Sequence, residues 1–285
     1  MSGLDWRPLQ VSDQQRLSIA RLQAHHAAQW LARAARACVP PQPDDGHTNL
    51  GWDDTFDGFT THRMHGGMYL GLKIADLTLV LHGNERPART KFFSFNGRTD
   101  AQARQWLGEQ LGARGIDARA LDEPSPYEIP VHPVSHGASY DIEDVADGLV
   151  ELAAWFANAE YLLVCVQRQM IGRKLTASDV RCWPHHFDLA TLISFPTRET
   201  DVTGYVGAGL SPGDEYYNEP YFYVSVYPKP NTTALPRLPK LGHWHTYEFT
   251  AAVAPAHQIV AANNQKAETD EFLRAAVDIA IKILS

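Results

Sequence analysis

Two distant stretches of this chain share the pattern W-x-x-x-F-D-x-x-T without a gap, and that repeat limits the possible folds more than any other feature. The first runs Trp52-Asp53-Asp54-Thr55-Phe56-Asp57-Gly58-Phe59-Thr60. The second runs Trp183-Pro184-His185-His186-Phe187-Asp188-Leu189-Ala190-Thr191. The surroundings agree in kind and order: a helical stretch, several strand-like stretches, then a second helical stretch. The expectation is an α+β protein of two related halves, each helix–antiparallel sheet–helix, packed about a pseudo-twofold axis. The halves would be residues 1–120 and 141–285, joined by a Pro-rich crossover at 121–140.

The local patterns support that order. Leu17, Ala20, Ala24, Leu31, Ala35 and Cys38 recur at three- and four-residue steps, predicting a helix from Ser12 to the stop at Pro40-Pro41. Thr99-x-x-Gln102 reads as a capping box for a helix ending near Gly115. Two more helices are expected over 141–169 and 269–284, the last with Thr269 as its N-cap. Strands are expected over 49–61, 68–82 and 90–95, and again over 186–195, 202–210, 219–227 and 243–253. Residues 116–140 hold Pro124, Pro126, Pro130 and Pro133 with no sustained period, as a linker would.

A formal charge of −8 and a pI near 5.9 argue against nucleic-acid binding, which usually needs a basic face. No apolar run approaches the roughly 20 residues of a bilayer span, and residues 1–10 lack a charged start before an apolar core. Three cysteines, Cys38, Cys165 and Cys182, are odd in number and lack metal-finger spacing. These features predict a cytoplasmic protein whose partner is a small molecule, not a membrane or a nucleic acid.

The chemistry concentrates in the second half. Read with a two-residue period, Phe187, Leu189, Ile193 and Phe195 share one strand face, and His186, Asp188, Ala190 and Ser194 the other. Pro184 has no amide proton, so His185 belongs to the bend before that strand. His243-Trp244-His245 would put two imidazoles on one face about 7 Å apart along a strand. With His186, and a carboxylate from Asp188 or Glu215, they make three nitrogens and an oxygen, a set suited to Zn, Fe or Mn. His185, Glu215 and Tyr223 are the candidates for acid–base roles. Acid–base work by the imidazoles without a metal is an open alternative.

The repeat offers a filter. Features present in both copies would be framework, and features present in one would be chemistry. By that filter Asp188, matched by Asp57, weakens as a ligand, while His185 and His186 gain. Loose alignment of Ala88–Phe95 with Gly242–Phe249 sets R-x-K of the first copy against H-x-H of the second.

Beyond the turn at Pro212-Gly213-Asp214, the residues Tyr221, Tyr223 and Tyr227 share a strand face. They read either as the wall of a ligand cavity or as cover for a sheet. Arg89, Lys91 and Lys73 read either as receivers of a substrate carboxylate or phosphate or as surface charges. His25 and His26, adjacent on a helix and about 100° apart, cannot easily share a metal and read as structural. No nucleophile elbow, Walker loop or dinucleotide motif occurs. Gly204, Gly207 and Gly209 lack the following helix that a phosphate loop needs.

The motifs Trp183-Pro184-His185-His186-Phe187-Asp188, Ser211-Pro212-Gly213-Asp214 with Glu219-Pro220-Tyr221-Phe222-Tyr223, and Gly242-His243-Trp244-His245 resemble those of a bacterial family of uncharacterised proteins. The resemblance covers most of the chain. It implies a bacterial cytoplasmic origin and a single full-length unit, and no particular activity. The reading that follows from the residues is a metal-dependent enzyme, hydrolase-type or non-haem oxygenase, with a His-rich site beside a tyrosine-lined cavity. The alternative is a non-catalytic small-molecule binding protein.

Overall fold

The structure is a computed structural model that describes residues 6–10, 13–83, 90–196 and 203–285. It is an α+β protein with two antiparallel sheets. The chain divides into two units. One takes residues 12–153 and 182–187, the other residues 1–11, 154–181 and 188–285. The division falls inside a helix, not in the Pro-rich stretch 121–140.

The first unit opens with α1 (Gln14–Cys38), capped by the Asp13 carboxylate, which accepts from the Gln15 amide at 2.9 Å. Its sheet is a meander of β1 (Gly51–Asp53), β2 (Gly58–Thr60), β3 (Tyr69–Lys73), β4 (Thr78–His82) and β5 (Thr90–Ser94) in chain order. The expected strand over 68–82 is thus a hairpin, bent where Leu77 takes a positive φ of 43°. Next, α2 (Asp100–Gly112) begins with the expected capping box: the Thr99 amide donates to Gln102 Oε1 at 2.9 Å, and Thr99 Oγ1 accepts from the Gln102 amide at 3.4 Å. Residues 116–140 form short 3-10 turns that bury Leu121 and Val134. They pack as part of this unit and do not act as a free linker.

The long helix α3 (Ala146–Gly172) runs from the first unit into the second. By length and mean hydropathy α3 is long and apolar enough to cross a membrane, although no uninterrupted apolar run in it approaches roughly 20 residues. Most of its apolar window is buried inside the protein, as in a core helix.

The second unit holds a sheet in the order β11-β12-β10-β9-β8-β6. Its strands are β6 (Thr176–Ala177), β8 (Asp188–Pro196), β9 (Thr203–Ser211), β10 (Tyr221–Tyr227), β11 (His243–His245) and β12 (Ala251–Pro255), while β7 (Arg181–Trp183) straddles the division. Two helices close the chain, α4 (Ala256–Val260) and α5 (Gln265–Leu284). The last starts four residues before the expected point: Asn264 is its cap, and the Thr269 hydroxyl donates back to the Gln265 carbonyl at 2.7 Å. Phe222, Val224 and Val226 of β10 are buried on one face, Phe222 lying 6.4 Å from Trp155 of α3. Phe272 of α5 packs closely enough on Gly242 that a Cβ there would lie 2.5 Å from its ring.

Both units follow a long helix with an antiparallel sheet and a further helix, but the shared motif does not fit the turns in register. Each W-containing segment turns over four residues, 54–57 and 184–187, and each turn ends on a left-handed residue, Asp57 (φ 54°) and Phe187 (φ 59°). By turn position Asp57 corresponds to Phe187, and Asp188 to Gly58. The ungapped sequence match is one residue out of step. Because a strand alternates its faces, that slip exchanges inside for outside. The filter that demoted Asp188 therefore fails.

The second alignment fails too. The expected strand 243–253 is a hairpin, with His243 opposite Val253 and His245 opposite Ala251. It is β12 that pairs with β10, and β11 lies outside it as an edge strand.

Candidate functional site, a tyrosine and histidine cluster beside β10

The cluster is built on the face of β10 that does not meet the helices. Alternation places Tyr221, Tyr223, Ser225 and Tyr227 there, as the sequence predicts. Tyr221 is buried, Tyr223 half-buried, and Tyr227 exposed with its ring 6.1 Å from Tyr205. Tyr221 packs with Ala251 and Val253 of β12, and Tyr217, Tyr223 and Phe249 lie against that small apolar group.

Glycines shape the floor. Gly209 of β9 pairs with Tyr223, and a Cβ on Gly209 would lie 2.6 Å from both Cζ and Oη of that tyrosine. The missing side chain lets the Tyr223 ring lie across β9, and its hydroxyl donates to Asp188 Oδ2 at the start of β8. Glycines that carry no phosphate loop thus have a packing role.

The turn at Pro212-Gly213-Asp214 aims its carboxylate inward. Asp214 Oδ1 accepts from the Tyr216 and Tyr217 amides at 2.9 and 3.0 Å, and Oδ2 accepts from the Tyr221 hydroxyl. Glu215, the expected acid, is exposed. Burial, with Asp214 beside it, pushes the Tyr221 phenol well up.

Tyr217 joins the two strand histidines. Its hydroxyl lies 2.9 Å from His243 Nε2 and 3.1 Å from His245 Nδ1. The other nitrogen of His245, Nε2, lies 2.7 Å from the Tyr247 carbonyl. A carbonyl only accepts, so Nε2 carries the proton, and a neutral His245 has a bare Nδ1. Tyr217 therefore donates to His245 Nδ1 and accepts from His243 Nε2–H. A one-way chain of protons results. Phe249 stacks on His245 at 4.2 Å and 25°, which fixes the ring. Burial, then the neighbouring His245 and His257, lower the His243 imidazole below its ordinary value. Burial and Asp214 raise the Tyr217 phenol, which stays protonated at neutral pH. At the rim the Tyr216 hydroxyl donates to Glu248, which pushes the phenol up to about 12.

His185 and His186 belong to the first unit, in the turn that precedes β8, so His186 does not share a strand face with Asp188. Their rings lie 4.2 Å apart, and burial followed by His186 lowers His185. Among the described residues no group of three or more His, Cys, Asp or Glu is arranged to hold a metal. Of the expected set His186, His243, His245 and Asp188, Tyr217 bridges the two strand imidazoles and Asp188 accepts from the Tyr223 hydroxyl. Lys91 is exposed on the edge strand β5, Lys73 is half-buried on β3, and Arg89 lies outside the described residues.

Sequence reasoning missed Tyr217 and Asp214. Both lie in a loop, where no period marks a face. The one available signal is the Pro-Gly-Asp turn itself, whose aspartate folds back on the next amides. Comparison with family models, with curated proteins and with solved structures found no match.

Proposed function

We propose that the protein is an enzyme acting on a small molecule by general acid–base chemistry at His243, Tyr217 and His245. The observation that carries this reading is the phenol bridging two imidazoles whose proton direction is fixed by the Tyr247 carbonyl. His243 is exposed, its Nδ1 has no protein partner among the described residues, and its lowered pKa leaves it neutral near pH 7. A proton taken at Nδ1 from a water or substrate hydroxyl can be relayed. His243 passes Nε2–H to Tyr217 Oη as Tyr217 passes its own proton to His245 Nδ1. The charge then rests on His245. Hydrolase-type chemistry is the simplest use of such a base, in a cytoplasmic setting that suits cysteines without a disulfide.

One observation favours a second reading, in which His243 Nε2, His245 Nδ1 and Tyr217 Oη hold a divalent metal. Metal-ligating histidines commonly donate their other N–H to a backbone carbonyl, as His245 does to Tyr247. The test is hydrolysis of short-chain p-nitrophenyl esters, before and after dialysis against a chelator. The acid–base reading predicts turnover that survives chelation, rises with pH through a value below 6.5, and falls about 100-fold or more in His243→Gln. Turnover lost on chelation and restored by ZnCl2 would favour the metal. Ester hydrolysis indifferent to His243→Gln and Tyr217→Phe would refute both.

A further inference from the structure

The first unit carries a cleft of about 390 Å³ that the tyrosine–histidine cluster does not touch. It lies among α1, the start of α2 and the 3-10 stretch after residue 118, all within that unit. Trp30 of α1 is one of its lining residues. The indole Nε1–H donates to Asp100 Oδ1 at 2.8 Å, and the Tyr140 hydroxyl donates to the same oxygen at 2.9 Å. Arg33, one turn further along α1, places its guanidinium carbon 5.5 Å from the centre of the Trp30 ring. Its Nη1 donates to the Leu121 and Glu123 carbonyls at 2.9 and 3.2 Å.

The charges in this cleft are unequally used. Arg104 and Asp122 satisfy each other through a two-point pair, with Nε to Oδ1 at 2.8 Å. Among the described residues Asp100 has only neutral donors, both on one oxygen, and Arg33 has only backbone carbonyls as hydrogen-bond partners, both on one nitrogen. Among the same residues neither is in an ion pair. A carboxylate and a guanidinium thus flank one indole in a concavity of ligand size, each held in place by neutral groups and each with polar atoms to spare. Two such groups at a fixed separation suit a molecule bearing both charges. The indole and the Tyr127 ring, whose hydroxyl is tied to Gln29 Oε1 at 3.0 Å, line the same cleft and supply it with flat apolar surface.

We propose that this cleft binds a zwitterionic α-amino acid with an aromatic side chain, its ammonium on Asp100, its carboxylate on Arg33 and its ring against Trp30. The ammonium takes the open Asp100 Oδ2, and the carboxylate takes the unused guanidinium N–H groups in the fork geometry that arginine favours.

The test is calorimetric titration of the full chain with L-tryptophan, L-tyrosine and L-phenylalanine, then with their N-acetyl and carboxamide derivatives. At least one free amino acid is expected to bind. Capping either end should weaken it about ten- to hundredfold, the worth of one charge-assisted hydrogen bond. Asp100→Asn keeps an acceptor for Trp30 and Tyr140, and should remove the penalty for N-acetylation. Arg33→Gln should remove the penalty for the carboxamide. No heat from any of the three at millimolar concentration overturns the proposal. So does binding insensitive to the caps, or binding that both variants leave unchanged. The capped series on the unaltered protein decides the matter even if one variant fails to fold.

Discussion

His25 in the first unit and the pair His243 and His245 in the second contrast in what surrounds their nitrogens. His25 is buried on α1, donates from Nε2 to the Pro184 carbonyl at 2.8 Å, and stacks on Phe187 at 5.1 Å with the rings 6° from parallel. Gln29 donates to the same carbonyl at 2.8 Å. Burial drives this imidazole down to about 4. It is a neutral wedge under the 184–187 turn. His243 and His245 meet a phenol, which both gives and takes a proton, and His243 faces solvent. The difference teaches that a partner's chemistry decides whether a histidine is the end of a proton chain or a link in it. A carbonyl ends a proton chain, whereas a hydroxyl continues it.

The largest expected effect would break the His25 side of the contrast. A folded-state value near 4, against 6.5 when free, means that the unfolded chain binds the proton first. Stability is therefore full above pH 6.5 and is lost as pH falls towards 4, by about 3 kcal/mol at pH 4. Urea unfolding across that range should show the loss, and His25→Gln should flatten it. A pH-independent midpoint in the unaltered protein would contradict the wedge.

Next in size is Gly209→Ala. The new methyl would meet the Tyr223 ring and also the Leu189 carbonyl at 2.8 Å, and a backbone atom cannot easily yield. A cost of about 1–3 kcal/mol is expected, with an altered tyrosine signal in near-ultraviolet circular dichroism. Tyr217→Phe is expected to cost about 1 kcal/mol, because the loop and strand it joins are partly exposed and water can replace the hydroxyl. Its main effect should be on the two imidazoles. Lys91→Ala, on an exposed edge strand, should stay within about 0.5 kcal/mol of the unaltered protein in thermal unfolding.

How far the sequence could be read follows the same physical line. Helices α1 and α2 were legible because their apolar steps are local and the Thr99 cap acts within three residues; the α1 cap is Asp13, one residue past the expected start at Ser12. The tyrosine face of β10 was legible because alternation is local too. The motif repeat misled by one residue. A left-handed residue at Phe187 ends the turn there, and no sequence period reveals a φ of 59°. His243 and His245 were found as a pair, but their partner Tyr217 lies 26 and 28 residues away in a loop. A contact made across such a loop leaves no trace in spacing.

Side-chain nitrogen NMR of the histidines at neutral pH tests the proton chain most directly. His243 and His245 should both appear as the Nε2–H tautomer, with His245 Nδ1 accepting a hydrogen bond, and Tyr217→Phe should shift both together. An Nδ1–H tautomer at His245, or two imidazoles averaging between tautomers as freely as the exposed His65, would contradict it.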